Sequence, residues 1–552
     1  SLAPEQPVLL IVDDVQWADE LTLALLDQLA SPAAPSDEPP APFLIVATVR
    51  SDEGDDIVDA LAERPRATVV RLDRLDKSAV RDVVADALGS PAPDALVELV
   101  DARADGVPFW ITEVLQAAAV QHVLERDDDG VWHTRLERAS RLPSTTTELL
   151  GLRLRGLTSD QRAFADAVAV LGRGSSPQVL RDVAGLDELR ALDAVTSLRA
   201  LQILDDDAEE GIRFAHDKLA DAVYALLDDA HRVSLHARAA NALAAAQASS
   251  EQLAWHHEQA GDTAVAVEQW LAAGDAARAL SAVKDAERCY ERAVACCEKT
   301  GDVASLAKTL MKLGLVHAAV FDTTAAQRSY QRAFSLWSEL RRAPSASAAH
   351  ETGSTGALPT ALVRVTHQPR SLDPARAYDS DSLFVQAQLF AGIVALAAAG
   401  DVLPAAASSW EVSATGLRYT FYLRDDAHWS DGAAVTASDF ELSWKRALDP
   451  RTNSPVAQLL YVLENARAYH EGSITDPRLV GVNATAKRTL EVKLATPSAY
   501  LLHLLSHPAT FPIPSNVFFA HGIRWTAPGN MTSNGAFVLE DRSARQVKLR
   551  RN

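Results

Sequence analysis

The sequence predicts a multidomain protein in which an α/β portion is followed by an all-α middle and then by an α+β portion, and three observations carry this reading. Up to about residue 140, short apolar runs tipped with acidic residues alternate with helical patterns. From there to about residue 340 the apolar residues fall at helical spacing, and one stretch echoes another. Beyond residue 360, alternating and aromatic runs bounded by Gly, Asp and Pro replace the alanine-rich helices. At 552 residues the chain exceeds what one hydrophobic core organises, and about three or four domains is the matching expectation.

Composition narrows the class. With 48% apolar and 23% charged residues the chain has the balance of folded domains. A net charge of -21 repels phosphate backbones and anionic lipid, which argues against nucleic-acid binding by bulk electrostatics. No apolar run is long enough to span a bilayer, so membrane insertion is not expected, and the first residues lack the pattern of a signal peptide. The three cysteines, Cys289, Cys296 and Cys297, share one helical stretch. They read as a small apolar face rather than a disulfide or metal framework. Together these features point to a cytoplasmic location.

Residues 1–140 come first. Pro7 to Asp19, PVLLIVDDVQWAD, is a continuous apolar run ending in two aspartates, the pattern of a buried parallel strand with acids at its C-terminal tip, where open α/β sheets bind ligands. Phe43 to Arg50, FLIVATVR, follows a Pro-rich loop as a second strand, and Ala67 to Leu72, ATVVRL, is a third candidate. In such a setting Asp13 would orient a water on Mg²⁺ and Asp14 would help polarise an attacking water. The structural alternative is a strand followed by an N-cap aspartate for the helix starting near Leu21.

The continuation VDDVQWADELTLALL resembles the Walker B region of signal-transducing AAA-like ATPases of large bacterial regulators, the STAND or LuxR-type ATPases. ATVR ending in Arg50, RLDRLDKSAVRDVV, and ADGVPFWITEVL from Ala104 to Leu115 resemble later segments of that family in the same order. The resemblance implies a partial P-loop sheet, with Arg50 sensing the γ-phosphate side and Pro108 lying over the base of ATP. A strand-end arginine and a helix-starting proline are the structural alternatives. The sequence has no G-x-x-x-x-G-K-[ST] loop to cradle phosphates. The chain is therefore read as opening just before the Walker B strand and as not hydrolysing ATP as it stands. In a full-length protein the resemblance implies ATP with Mg²⁺ and a nucleotide-dependent oligomer.

Residues 141–250 read as a helical, winged-helix linker domain. From Leu142 a Ser/Thr cluster precedes helically spaced apolar residues that stop at a glycine, and Leu201 to His216 reads as a hairpin with an acidic loop. Its acidity argues against DNA reading. Phe214 to Leu227, FAHDKLADAVYALL, resembles the segment that follows the ATPase in the same regulators. His216, His236, His256 and His257 read as hydrogen-bonded core or surface residues rather than as metal ligands. Over 251–340, Ala286 to Asp302 is echoed by Ala326 to Leu340, and a shorter relative lies between Glu258 and Asp275. Small residues at helix crossings and Gly-Asp turns resemble tetratricopeptide repeats, implying a stacked superhelix whose groove takes a protein partner, with a plain spacer as the alternative.

Residues 341–359, rich in Ser, Ala, Pro and Gly, read as a flexible linker. Over 360–552, RSLDP at Arg370 to Pro374, LPAAASSWEVS ending at Ser413, the segment Tyr419 to Pro450 and SNGAFVL at Ser533 to Leu539 closely resemble the family 5 solute-binding proteins of oligopeptide and dipeptide ABC importers. In physical terms W-S-D-G is a turn with an aromatic anchor, VTASDF caps the next helix, and N-G permits a left-handed turn. The resemblance implies part of a periplasmic-binding-protein lobe that takes an oligopeptide, with Tyr378 and Asp379 as candidate peptide contacts. The match stops soon after SNGAFVL, so clamshell closure is not expected of these residues alone.

Taken in chain order, these segments predict a bacterial signalling ATPase that couples ATP binding and helical-repeat interaction to a peptide-sensing domain. The alternatives are an oligopeptide-binding component of peptide transport, which places the chain at the cell envelope, and a scaffold with a degenerate ATPase.

Overall fold

A computed structural model describes the chain apart from residues 1–7, 31–42, 51–58, 60–66, 128–131, 143–147, 150, 152–153, 155, 208–210, 343–366, 398–399 and 544–545. The Pro-rich loop, the Ser/Thr cluster after Leu142, the hairpin's acidic loop and most of the predicted linker lie outside the described residues. The chain divides into two compact units, Ser1–Gln269 and Trp270–Asn552.

In the first unit, β1 (Val8–Val12) leads through α1 (Glu20–Ala30) to β2 (Phe43–Ala47). The two strands pair in parallel with Val8 opposite Phe43 and Val12 opposite Ala47. This is the expected crossover: two apolar runs joined by a helix long enough to reverse the chain. The third strand does not form. Residues 67–72 carry no regular structure, and Val70 and Leu72 are 76% and 93% exposed. An apolar run becomes a strand only where a neighbour accepts its amides and covers its side chains, and among the described residues the sheet holds β1 and β2 alone.

Helices α2 (Lys77–Leu88), α3 (Asp94–Ala104) and α4 (Pro108–Val120) build a core from Val80, Val84, Leu96, Val100, Ile111 and Val114. Asp76 starts α2 by accepting the Ala79 amide at 2.8 Å, and Pro108 occupies the first turn of α4, where its missing N–H is no loss. A short hairpin follows, β3 (Leu124–Arg126) with β4 (Trp132–Thr134). Next come α5 (Ser159–Leu171), α6 (Pro177–Ala184), α7 (Glu188–Ala200) and the hairpin of β5 (Leu204–Asp207) with β6 (Gly211–Phe214). Three helices followed by a hairpin is the order of elements the sequence predicts over this stretch. Thr158 and Gln161 form a capping box at α5. Phe164, Leu180, Leu198, Ile203 and Leu219 lie in one core, which α8 (Asp217–Ala225) and α9 (Asp229–Ala245) complete, and α10 (Ser250–Gln259) follows.

Helix α11 (Thr263–Ala279) runs into the second unit, where α12 (Val283–Thr300), α13 (Val303–Ala319) and α14 (Thr323–Arg342) pack in antiparallel succession. The internal echo has a packing cause. A Cβ on Gly274 would overlap the Tyr290 ring, and one on Gly314 would overlap the Tyr330 ring. Each tyrosine sits at the matching place of its repeat, so each small residue is the notch for the next helix's aromatic side chain. The three cysteines are buried and form no disulfide among the described residues, in keeping with a packing role, and burial raises the Cys297 thiol pKa.

The remainder holds α15 (Ser380–Leu389), the hairpin of β7 (Val394–Leu396) with β8 (Val402–Pro404), and an antiparallel sheet. The sheet is formed by β9 (Ala407–Val412), β10 (Arg418–Leu423), β11 (Val482–Ala486) and β12 (Thr489–Lys493) in the order β11-β12-β10-β9. Alternation is clear on β10, where Tyr419, Phe421 and Leu423 are buried. Helix α16 (Ala437–Leu448) lays Phe440, Trp444 and Leu448 into the core beside β11 and β12. Helix α17 (Ser515–His521) and the hairpin of β13 (Phe537–Arg542) with β14 (Val547–Arg551) end the chain.

Candidate functional site

Each unit brings sequence-predicted residues together. In the first, the β1 tip carries Asp13 and Asp14, and β2 ends just before Thr48 and Arg50. Asp14 takes a left-handed backbone, φ +55°, which turns the chain out of the strand. The Thr48 hydroxyl donates to Asp13 Oδ1 and accepts the Asp14 amide at 2.9 Å, so both tips are stitched by one side chain. Asp14 Oδ1 accepts from Gln16 Nε2 at 3.0 Å and from Arg50 Nε at 3.2 Å. Arg50 also donates to Asp217 at 2.8 Å, and Arg173 donates to the other Asp217 oxygen at 2.8 Å. Arg173 lies 3.8 Å from both Asp13 and Asp14. Burial opposes ionisation of Asp217, yet the Arg173 hydrogen bond and the two guanidinium charges outweigh it and lower its pKa.

Pro108 opens α4, and the next residue, Phe109, stacks on His216 with ring centroids 3.7 Å apart. His216 is therefore not on a helical face: its Nδ1 caps α8 by accepting the Lys218 amide, and burial lowers its pKa. The fold thus joins Asp13, Asp14 and Arg50 in one cluster and links Pro108 to it through Phe109, His216 and Asp217. Arg173 and Asp217 were not singled out by the sequence, since only the fold brings residues so far apart in the chain to one place.

The Asp13 side chain stays 61% exposed and can face a hydrated cation, but the sequence offers no glycine-lysine loop for the phosphate chain. Among the described residues no group of three or more His, Cys, Asp or Glu is placed to hold a metal by itself. The buried histidines pair instead. Tyr224 Oη and His236 Nε2 lie 3.0 Å apart, and His236 Nδ1 and His256 Nδ1 also 3.0 Å apart. Burial pushes both imidazoles down to about 4.

In the second unit the quoted motifs converge on buried polar anchors. Asp439, 2% exposed, sits in the first turn of α16 and accepts the Thr436 amide (2.9 Å) and hydroxyl (3.0 Å), the Ser515 amide (3.0 Å) and Trp429 Nε1 (3.3 Å). The W-S-D-G turn is as expected, with Gly432 at φ +86° and Trp429 buried beneath it. Asp373 of the LDP motif pairs with both guanidinium nitrogens of Arg446, and Trp525 Nε1 donates to it at 3.4 Å. The N-G pair differs from expectation. Gly535 does not have positive φ; a Cβ there would stand 2.6 Å from the Leu389 carbonyl carbon. Asn534 exchanges two hydrogen bonds with the Ala391 backbone, at 2.9 and 3.0 Å. The pair therefore clamps a neighbouring segment, and close approach is the reason for glycine.

The predicted peptide contacts are adjacent but differ in freedom. Asp379 caps α15, accepting the Ser382 amide and hydroxyl at 2.9 and 2.7 Å. Tyr378 is 53% exposed and lies under the Arg370 guanidinium, 5.5 Å from ring centroid to carbon.

Residues 401–552 match the family model described as bacterial extracellular solute-binding proteins, family 5 middle. The C-terminal region is similar to family 5 solute-binding proteins. A probable deoxycholate-binding periplasmic protein of Escherichia coli is 42% identical over 174 residues, 31% of this chain and 32% of that protein. The periplasmic oligopeptide-binding protein OppA of the same organism is 40% identical over 176 residues, again 31% of this chain and 32% of the relative. The solved structure of the Escherichia coli murein tripeptide binding protein MppA shares 38% identity with a TM-score of 0.31, covering 32% of this chain and 35% of that one. The chain spans about a third of the length of the curated relatives it matches. The relatives bear periplasmic names, which agrees with the cell-envelope alternative and not with the cytoplasmic expectation. No described helix is long and apolar enough to cross a membrane.

Proposed function

We propose that the solute-binding segment serves oligopeptide binding in peptide transport at the cell envelope, in preference to the signalling-ATPase reading. The observation that supports this best is the 40% identity to an oligopeptide-binding protein over 176 residues, beside the family match at 401–552, which holds the Trp429 and Asp439 anchors. In this reading those anchors hold the fold, and the exposed Tyr378 ring with Arg370 contributes to the peptide surface, an aromatic face beside a charge suited to a peptide's side chains and carboxylate. Isothermal titration of the full chain with mixed tripeptides to pentapeptides, and separately with deoxycholate, tests it. Saturable heat from peptides, reduced about 3- to 10-fold in affinity by Tyr378→Ala, is the expected result. Heat from deoxycholate alone, or none from peptides in a folded chain, overturns it.

A second reading rests on the convergence of Asp13, Asp14, Arg50 and Arg173 with Asp217. There the first unit responds to ATP with Mg²⁺, the cation facing Asp13, while the helical repeats take a protein partner and the solute-binding segment senses peptide. Titration with ATP and Mg²⁺ separates the two: binding that Arg50→Ala abolishes favours the nucleotide reading, and no binding leaves the first unit a scaffold.

A further inference from the structure

We infer that the helical repeats are a built-in partner of the solute-binding segment: helix α14 docks on strand β9, and the two fold and open as one cooperative unit. Strand β9 lies at one end of the four-stranded sheet, where outward amides need a partner. Here the partner is a set of side chains. Val412, whose amide points away from β10, donates to Gln327 Oε1 of α14 at 2.8 Å, and Thr323 Oγ1 donates to the Ala414 carbonyl at 2.9 Å. Above these polar contacts the Trp410 ring of β9 meets Phe334 edge-on at 4.7 Å and Tyr330 at 5.5 Å between centroids. Trp410 and Tyr330 are at most 1% exposed and Phe334 is 8% exposed, so these rings form one shared core.

A second, polar tie lies one helix away. The Lys312 ammonium on α13, buried to 6% exposure, donates to Asp275 at 2.8 and 3.1 Å and to Asp401 at 2.6 Å. Asp401 belongs to the turn between β7 and β8, whereas Asp275 belongs to α11 and also accepts the Tyr290 hydroxyl at 2.6 Å. Arg278 reaches Asp401 at 3.4 Å. A buried ammonium is tolerated only with its counter-charges in place, and one of the two comes from the solute-binding side. Within the ring cluster Tyr330 Oη and Trp410 Nε1 have no hydrogen-bond partner among the described residues, so the rings meet there by packing alone, with the hydrogen bonds at the edge of the seam. Any change in the solute-binding sheet that moves Trp410 or Asp401 is thus felt directly by the repeats.

Hydrogen exchange read by mass spectrometry on the full chain tests this, following peptides within α13 and within β9. Phe334→Ala removes a shared ring and is expected to speed exchange roughly 100-fold in both peptides. A rise confined to the helices, with β9 unchanged, overturns the inference. Asp401→Asn changes only the solute-binding side, and about 10-fold faster exchange in α13 is expected; an unchanged α13 overturns it. Tyr330→Phe deletes the orphaned hydroxyl without removing the ring, so exchange in both peptides should stay level or slow. Faster exchange in Tyr330→Phe would overturn the assignment of the ring cluster as an apolar core.

Discussion

Asp439 is the sharpest test of how the solute-binding segment holds together. Its carboxylate is 2% exposed and gathers donors from three places: Thr436 in its own capping box, Ser515 at the start of α17, and Trp429 in the W-S-D-G turn. Asp439→Ala strands the Thr436 and Ser515 amides and the Trp429 indole. At roughly 1–3 kcal/mol for each donor left buried, with two of the three counted as fully lost, the expected destabilisation is about 4 kcal/mol. Asp439→Asn keeps one acceptor oxygen and turns an amino group toward the other donors, so about 2 kcal/mol is expected. Thermal and urea unfolding of the full chain measures both, with a shift of about 10 °C for the alanine variant in a unit of this size. A loss below about 1 kcal/mol for Asp439→Ala, or an asparagine variant worse than alanine, would refute the argument that this carboxylate joins the three motifs.

Further expectations follow from the same reasoning. Asp373→Ala leaves the Arg446 guanidinium without its buried counter-charge, with both side chains about one-tenth exposed, and should cost about 3–5 kcal/mol, whereas replacing both by Leu and Met should cost less; a double-mutant cycle by urea unfolding reads this. Gly535→Ala forces a Cβ against the Leu389 carbonyl carbon and should cost about 1–3 kcal/mol without any change of backbone handedness, measurable by the same unfolding. For the first unit, His236 and His256 have folded pKa values near 4, below the ordinary imidazole value of 6.5. Between those values the unfolded chain binds more protons, so stability falls as pH drops from about 6.5 to about 4 and is flat above that window. His236→Phe should flatten this dependence, and unfolding midpoints across pH 4–7 check it.

Much of the architecture was legible because it depends on local chemistry. Pro108 at a helix start, the Thr436 cap, the Gly432 turn and the alternation of β10 are set by residues within a few positions of each other, and the structure places each where the pattern predicts it. The same locality explains why Asp13 and Asp14 were recognised as a strand tip. Where the reading failed, a distant partner decided. The run at residues 67–72 has strand-like composition but no strand to pair with among the described residues, and Gly535 is glycine because of Leu389, not because of its own turn.

By itself, the sequence determined most of the order of element types, the internal helical repeat, the aromatic anchors and the family likeness of the C-terminal region, since periodicity, capping and turn chemistry act over a single turn or strand. Only the tertiary structure decided that Arg173 and Asp217 close on the β1 tip, that Arg446 neutralises Asp373, that His236 pairs with His256, and that Lys312 and Trp410 bind the repeats to the sheet. These are pairings of buried or half-buried charges and rings far apart in the chain. Their energy comes from desolvation and from contacts that exist only once the chain has folded.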